Sequence, residues 1–103
     1  MNEKDTIKLV NQLGKMIILN ELEEIQKLNK IQFLDQENYA DLFIEACAND
    51  SNQIVKYLYE LRHPGEFALE DGFRCCLDTD NFNTVETLIC DYKFIKILIL
   101  KKN

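Results

Sequence analysis

A thirty-residue period constrains this chain more than any other feature. Leu13, Phe43 and Phe73 stand thirty residues apart, as do Met16, Ala46 and Cys76. Ile17, Cys47 and Leu77 keep the same step, followed by Asn20, Asp50 and Asp80, then Ile25, Val55 and Val85, and finally Leu28, Leu58 and Leu88. Six columns hold their chemical class at one offset, which chance seldom produces in a chain of 103 residues. Self-similarity at a period of about 20–50 residues marks stacked supersecondary units, none of which can bury its apolar face alone. An ordinary helical bundle with coincidental spacing is the competing architecture.

Composition narrows the class of unit. Three Gly and one Pro leave few tight turns, which disfavours an all-β fold. The 47% apolar content argues against intrinsic disorder, and the length suits one domain. A net charge of −6 makes phosphate-backbone binding an unsuitable main task. No apolar run reaches the roughly 18–20 residues that span a bilayer. Met1-Asn2-Glu3-Lys4-Asp5 lacks the basic start and apolar stretch of a signal peptide. The expectation is a soluble, acidic, mostly helical domain.

Each unit reads as helix, short polar turn, helix. In the middle unit Phe43, Ala46 and Cys47 give the i, i+3, i+4 stripe of a helix. Asp50-Ser51-Asn52 supplies turn and N-cap chemistry for a second helix burying Ile54, Val55, Leu58 and Leu61, which His63-Pro64-Gly65 stops. In the third unit Asp71 is expected to cap a helix carrying Phe73, Cys76 and Leu77. Asp80-Asn81 marks the turn there, and Val85, Leu88, Ile89 and Tyr92 face inward. In the first, Asn11 precedes the helix through Leu19, and Asn20-Glu21 precedes one through Ile25 and Leu28. The predicted fold is all-α, with units near 8–34, 38–64 and 68–93. Residues 1–8 and 94–103 would act as caps.

Ala46-Cys47-Ala48-Asn49-Asp50-Ser51-Asn52-Gln53-Ile54-Val55-Lys56-Tyr57-Leu58 resembles the ankyrin-repeat stretch A-A-x-x-G-H-x-x-I-V-K-x-L. Weaker matches fall at Asn20–Leu28 and Asn83–Leu88, so the resemblance covers roughly Lys8 to Tyr92. The family's T-P-L-H opening is here Asp41-Leu42-Phe43-Ile44 and Asp71-Gly72-Phe73-Arg74, with Asp kept at the cap position and the Pro and His gone. Asn20, Asp50 and Asp80 replace the inter-helix Gly and tolerate left-handed backbone. The period falls short of the family's usual repeat of about thirty-three, which implies a plain loop in place of the β-hairpin finger. The resemblance implies three stacked ankyrin-like helix-turn-helix repeats and a protein-binding role.

Cys47, Cys75, Cys76 and Cys90 lie in apolar-periodic segments, where free thiols act as small buried hydrophobes. A disulfide framework or a metal site is the alternative. Adjacent Cys75 and Cys76 diverge by about 100° on a helix, and the single His63 lacks metal-ligand spacing. Reduced thiols point to a cytoplasmic setting. Nothing in the sequence marks a catalytic elbow, a phosphate-cradling loop or a cofactor box.

Charge is uneven. Residues 35–91 hold thirteen acids and three bases, while the last twelve residues hold four Lys around the apolar run Ile95–Leu100. That run is expected to cap the last unit as helix or strand. The alternatives are an edge open to a partner strand or a membrane-surface contact. Stacked units would align Glu37, Asp41, Glu45, Glu66, Glu70, Asp71 and Asp78 into a negative ridge, either a solvating face or a docking surface for a basic partner. Tyr39 and Phe67 are expected in inter-unit loops as possible anchors, and Tyr57, Tyr59 and Tyr92 as core or rim aromatics. The resulting expectation is a non-enzymatic protein binder without metal or cofactor. It would most resemble a small acidic immunity protein that covers the active site of a basic, nuclease-type toxin. An adaptor docking on a host protein and an acidic nucleic-acid mimic that blocks a defence enzyme are the alternatives.

Overall fold

Three helix ends in this chain are built alike. Asn20, Asp50 and Asp80 adopt left-handed backbone, with φ of 56°, 54° and 58°. After each of them the amide of the next residue closes a six-residue ring: Glu21 N donates to Met16 O at 2.8 Å, Ser51 N to Ala46 O at 3.1 Å and Asn81 N to Cys76 O at 2.9 Å. Inside each ring the left-handed residue's own amide donates to Ile17 O, Cys47 O or Leu77 O. This is the Schellman arrangement, which satisfies the last carbonyls of a helix and reverses the chain. Asn and Asp take the place of Gly because their short polar side chains tolerate this backbone.

The computed structural model describes residues 2–89, most of which are helical. α1 (Glu3–Ile18), α3 (Gln36–Ala48) and α5 (Glu66–Asp78) each lead through such a turn into a shorter partner, α2 (Leu22–Leu28), α4 (Asn52–Leu61) or α6 (Phe82–Ile89). A 3₁₀ turn, Ile31–Phe33, joins α2 to α3, and no strand occurs among the described residues. α3 packs against α1 on one side and α5 on the other, and α4 packs against α6.

One continuous core runs through these helices. It includes the periodic columns Leu13/Phe43, Ala46/Cys76, Ile17/Cys47, Ile25/Val55/Val85 and Leu58/Leu88, with Met16, Leu28 and Phe73 partly buried against it. Two expected core members fall outside it: Leu61 and Leu77 are 39% and 49% exposed at the ends of α4 and α5. Ser51 and Asn81, the residues that follow the left-handed positions, make the same longer contact. Ser51 Oγ donates to Ile17 O at 3.2 Å and Asn81 Nδ2 to Cys47 O at 2.9 Å, again thirty residues apart. Ser51 therefore uses its hydroxyl to hold α1 and leaves α4 without a side-chain N-cap bond. Asp50 reaches across to α6, where its Oδ1 accepts from Thr84 N and Oγ1.

The helix starts correct the sequence reading. α1 begins at Glu3, not after Asn11, because Asn2 accepts from Asp5 N at 2.8 Å and the stripe Leu9, Leu13, Ile17 runs on toward the N-terminus. Residues 3–8 are therefore helix and not a separate cap. Asp41 and Asp71 cap nothing and lie mid-helix. α3 is capped by Asp35, whose Oδ1 accepts from Asn38 N at 2.8 Å, and α5 follows Gly65 at φ 100° after the buried Pro64. α3 and α5 thus each start well over a turn earlier than expected, since Tyr39, Ala68 and Leu69 extend the buried stripe. Tyr39 is accordingly a fully buried residue of α3 and Phe67 an exposed residue of α5, neither of them in a loop. The side chain of Ile89, Cys90, Tyr92 and the expected cap at 94–103 lie outside the described residues.

α5 approaches α3 closely at Gly72. A Cβ there would stand 2.8 Å from Cys47 Sγ and 3.2 Å from the Phe43 ring, both fully buried. Gly72→Ala is expected to lower stability by about 1–2 kcal/mol although Ala is the better helix former. The loss should shrink in a Cys47→Ala background, as read by urea unfolding. A Gly72→Ala chain as stable as the parent would show that the two helices part without cost.

Candidate functional site

The seven acids of the expected ridge sit on two neighbouring helices in distinct settings. Glu37, Asp41 and Glu45 follow one another at i, i+4, i+8 along α3, and Glu66, Glu70, Asp71 and Asp78 lie on α5. Glu37 and Glu66 fall in the first turns, where the helix dipole favours a carboxylate. Three of the seven share one feature. Glu37, Asp41 and Glu66 line a groove of about 570 Å³ whose other walls include Ala40, Ile44, Pro64 and Phe67.

The remaining four are placed apart. Glu45 turns its carboxylate toward α1, where a Cβ added at Gly14 would stand 3.5 Å from Glu45 Oε2. Glu70 and Asp71 share Arg74, at 3.5 and 3.4 Å. Asp78 closes α5 at its exposed C-terminal end. The acids therefore form a groove, an ion-paired cluster and two outliers along α3 and α5.

Bases near the groove are engaged elsewhere. Arg62 donates to Leu34 O at 2.6 Å and Gln36 Oε1 at 3.0 Å, and its guanidinium lies 4.8 Å from the centre of the Tyr39 ring. Gln36 also donates to His63 O, and His63 Nδ1 accepts from Gly65 N at 2.9 Å, so the α4–α5 connection is tied to the start of α3. This internal cation was not legible as such. Only the side chain's position after α4, facing the buried Tyr39, reveals it.

The thiols are packing groups. Cys47, Cys75 and Cys76 are free, and Cys76 Sγ donates to Cys47 O at 3.5 Å. The Cys47 thiol is held well above its ordinary range, first by its hydrogen bond with Cys76 and then by burial. It stays protonated and is a poor nucleophile. Cys75, half-buried, is raised by partial burial and by the carboxylate of Asp71.

No family model, no curated protein and no solved structure matches this chain.

Tyr39 anchors α3 to α4. Its hydroxyl donates to Leu58 O, and burial pushes its pKa from 10.0 up to about 12, against the lowering effect of Arg62. The unfolded chain releases this proton near the ordinary value while the folded chain retains it, so stability is lost as pH rises from 10.0 toward about 12. Tyr39→Phe should flatten the fall in urea-unfolding free energy over that window. An unchanged slope would show that Tyr39 titrates alike in both states.

Proposed function

We propose that this chain is a non-enzymatic protein-binding module made of three stacked ankyrin-like helix pairs, with the acidic surface of α3 and α5 turned toward a basic partner. The stacking is supported by the left-handed turns at thirty-residue steps and by the paired bonds from Ser51 to Ile17 O and from Asn81 to Cys47 O. One observation carries the functional reading. Of the three bases among residues 35–91, Arg62 is bound to Leu34 O and Gln36, Arg74 is shared by two acids and Lys56 lies on α4; among the described residues no ion pair engages Glu37, Asp41 or Glu66, which leaves these carboxylates open to an external group. A surface of one sign speeds encounter with its opposite and rejects like-charged competitors.

The form that best suits a small acidic binder is an immunity or inhibitor protein that covers the cationic active site of a nuclease-type toxin. A host-docking adaptor uses the same surface. The exposed rings of Phe67 and Phe33 favour a protein partner over a role as nucleic-acid mimic, because a phosphate-like surface has no use for apolar anchors. Cytoplasmic residence belongs to the same proposal and is supported by the free thiols.

Cross-linking the full chain in the cell that produces it, followed by association kinetics on the captured protein, tests this. The captured protein should be basic, and its association rate should fall about tenfold or more as salt rises from low to physiological strength. An acidic partner, or a rate indifferent to salt, would overturn the electrostatic reading.

A further inference from the structure

We propose that the groove between the first turns of α3 and α5 is a docking site for an arginine side chain carried on a segment of the partner protein, an inference that rests on the protein-binding reading above. The groove is mostly apolar, walled by Ala40, Ile44, Pro64 and Phe67. Phe67 is 72% exposed, and the thirty-residue period does not account for it: the positions one and two periods earlier are Glu37 and Ile7, both on the surface. An apolar ring kept in water on the first turn of a helix has no packing role in this core, and it is the type of side chain that anchors an interface.

The charge around the ring selects the occupant. Glu37, Asp41 and Glu66 line the same groove, and among the described residues none of the three takes part in an ion pair. An apolar anchor alone would leave these carboxylates to be desolvated without compensation, which is costly. A cation that lies flat on an aromatic face while donating several hydrogen bonds at its edge satisfies both. Guanidinium has that shape, whereas a lysine ammonium is a point charge that cannot stack and fork together. The chain's own nearby guanidinium groups are not free to occupy the groove, since Arg62 is bound to Leu34, Gln36 and the Tyr39 ring and Arg74 to Glu70 and Asp71.

The test is an amide-resolved NMR titration of the full chain with a capped hexapeptide of two arginines, two leucines and terminal glycines. Counterparts carrying lysine or glutamate in place of arginine serve as controls. Shifts should concentrate on residues 36–44 and 64–68, with the lysine peptide several-fold weaker and the glutamate peptide silent. Phe67→Ala, and separately Glu37→Gln with Asp41→Asn and Glu66→Gln, should each weaken the arginine peptide about tenfold. Glu60→Gln on α4, an exposed acid away from the groove, should leave its affinity unchanged; Phe67→Ala and Glu60→Gln should keep the parent unfolding midpoint, and the triple charge variant should lower it only slightly through the loss of two first-turn carboxylates. Shifts centred on Glu70, Asp71 or Asp78 would overturn the groove while leaving the wider acidic-surface reading in place. Equal affinity for the lysine peptide, or no saturable shift at all, would also overturn it, and the salt dependence of the captured partner would then judge the wider reading separately. Groove amides that already move in a K93Q/K96Q/K101Q/K102Q chain before peptide is added would assign the site to the chain's own lysines and overturn the proposal.

Discussion

The turn that ends α1, α3 and α5 is the constraint on which the remaining geometry depends. A left-handed Asn or Asp closes the Schellman ring and satisfies the last carbonyls of the helix. One carbonyl in each of the first two turns does a second job. Ile17 O and Cys47 O, already accepting from the left-handed residue's amide, also accept from the side chain that follows the next turn. A carbonyl has two lone pairs, so both bonds can form at once; at Cys47 O the longer, weaker thiol contact from Cys76 shares them. Reversal of the chain and attachment of the residue after the following turn are therefore fixed at a single atom in each case.

The approach of α5 to α3 goes with that attachment. With the turns tied, the middles of the helices are brought together where Gly72 offers no Cβ and Phe43 and Cys47 fill the space. The same register sets the first turns of α3 and α5 side by side. Glu37 and Glu66 are comfortable there because of the helix dipoles, and the short connection through Pro64 and Gly65 leaves a groove between them. Arg62 is bound to Leu34 O, to Gln36 at the groove's edge and to the Tyr39 ring, and Tyr39 in turn donates to Leu58 O. The acidic character of the surface is thus a result of where the cations are spent as well as of how many acids there are.

Much of the helical plan was legible in the sequence, because apolar columns at a fixed offset and Asn or Asp at the turns are local signals. Asn20, Asp50 and Asp80 stand where the resembling family carries Gly and tolerate left-handed backbone, and the spacing of Ile54, Val55 and Leu58 on α4 and of Val85 and Leu88 on α6 marks buried positions, though Leu61 is exposed. The helix starts were not legible, since Asp41 and Asp71 look like caps until Asp35 is seen to cap α3 and α5 is seen to start after Gly65 with no side-chain cap. Tyr39 was hidden for the same reason: set outside a helix it reads as a surface anchor, set inside one it falls on the buried stripe. At the candidate site the acids themselves could be named, but their division could not. Whether a carboxylate faces a groove, as Glu37 does, or a guanidinium, as Glu70 does, depends on side-chain directions across two helices, which spacing along one chain does not carry.

The bonds from Asn81 to the Cys47 and Ala48 carbonyls offer the most direct test of the central claim, that the second and third turns are each fastened to the end of the long helix before them. Urea unfolding of Asn81→Ala, compared with Asn83→Ala on the exposed side of α6, isolates that attachment. The account predicts a loss of about 1–2 kcal/mol for Asn81→Ala against little or none for Asn83→Ala. Equal unfolding free energies for the two variants would contradict it.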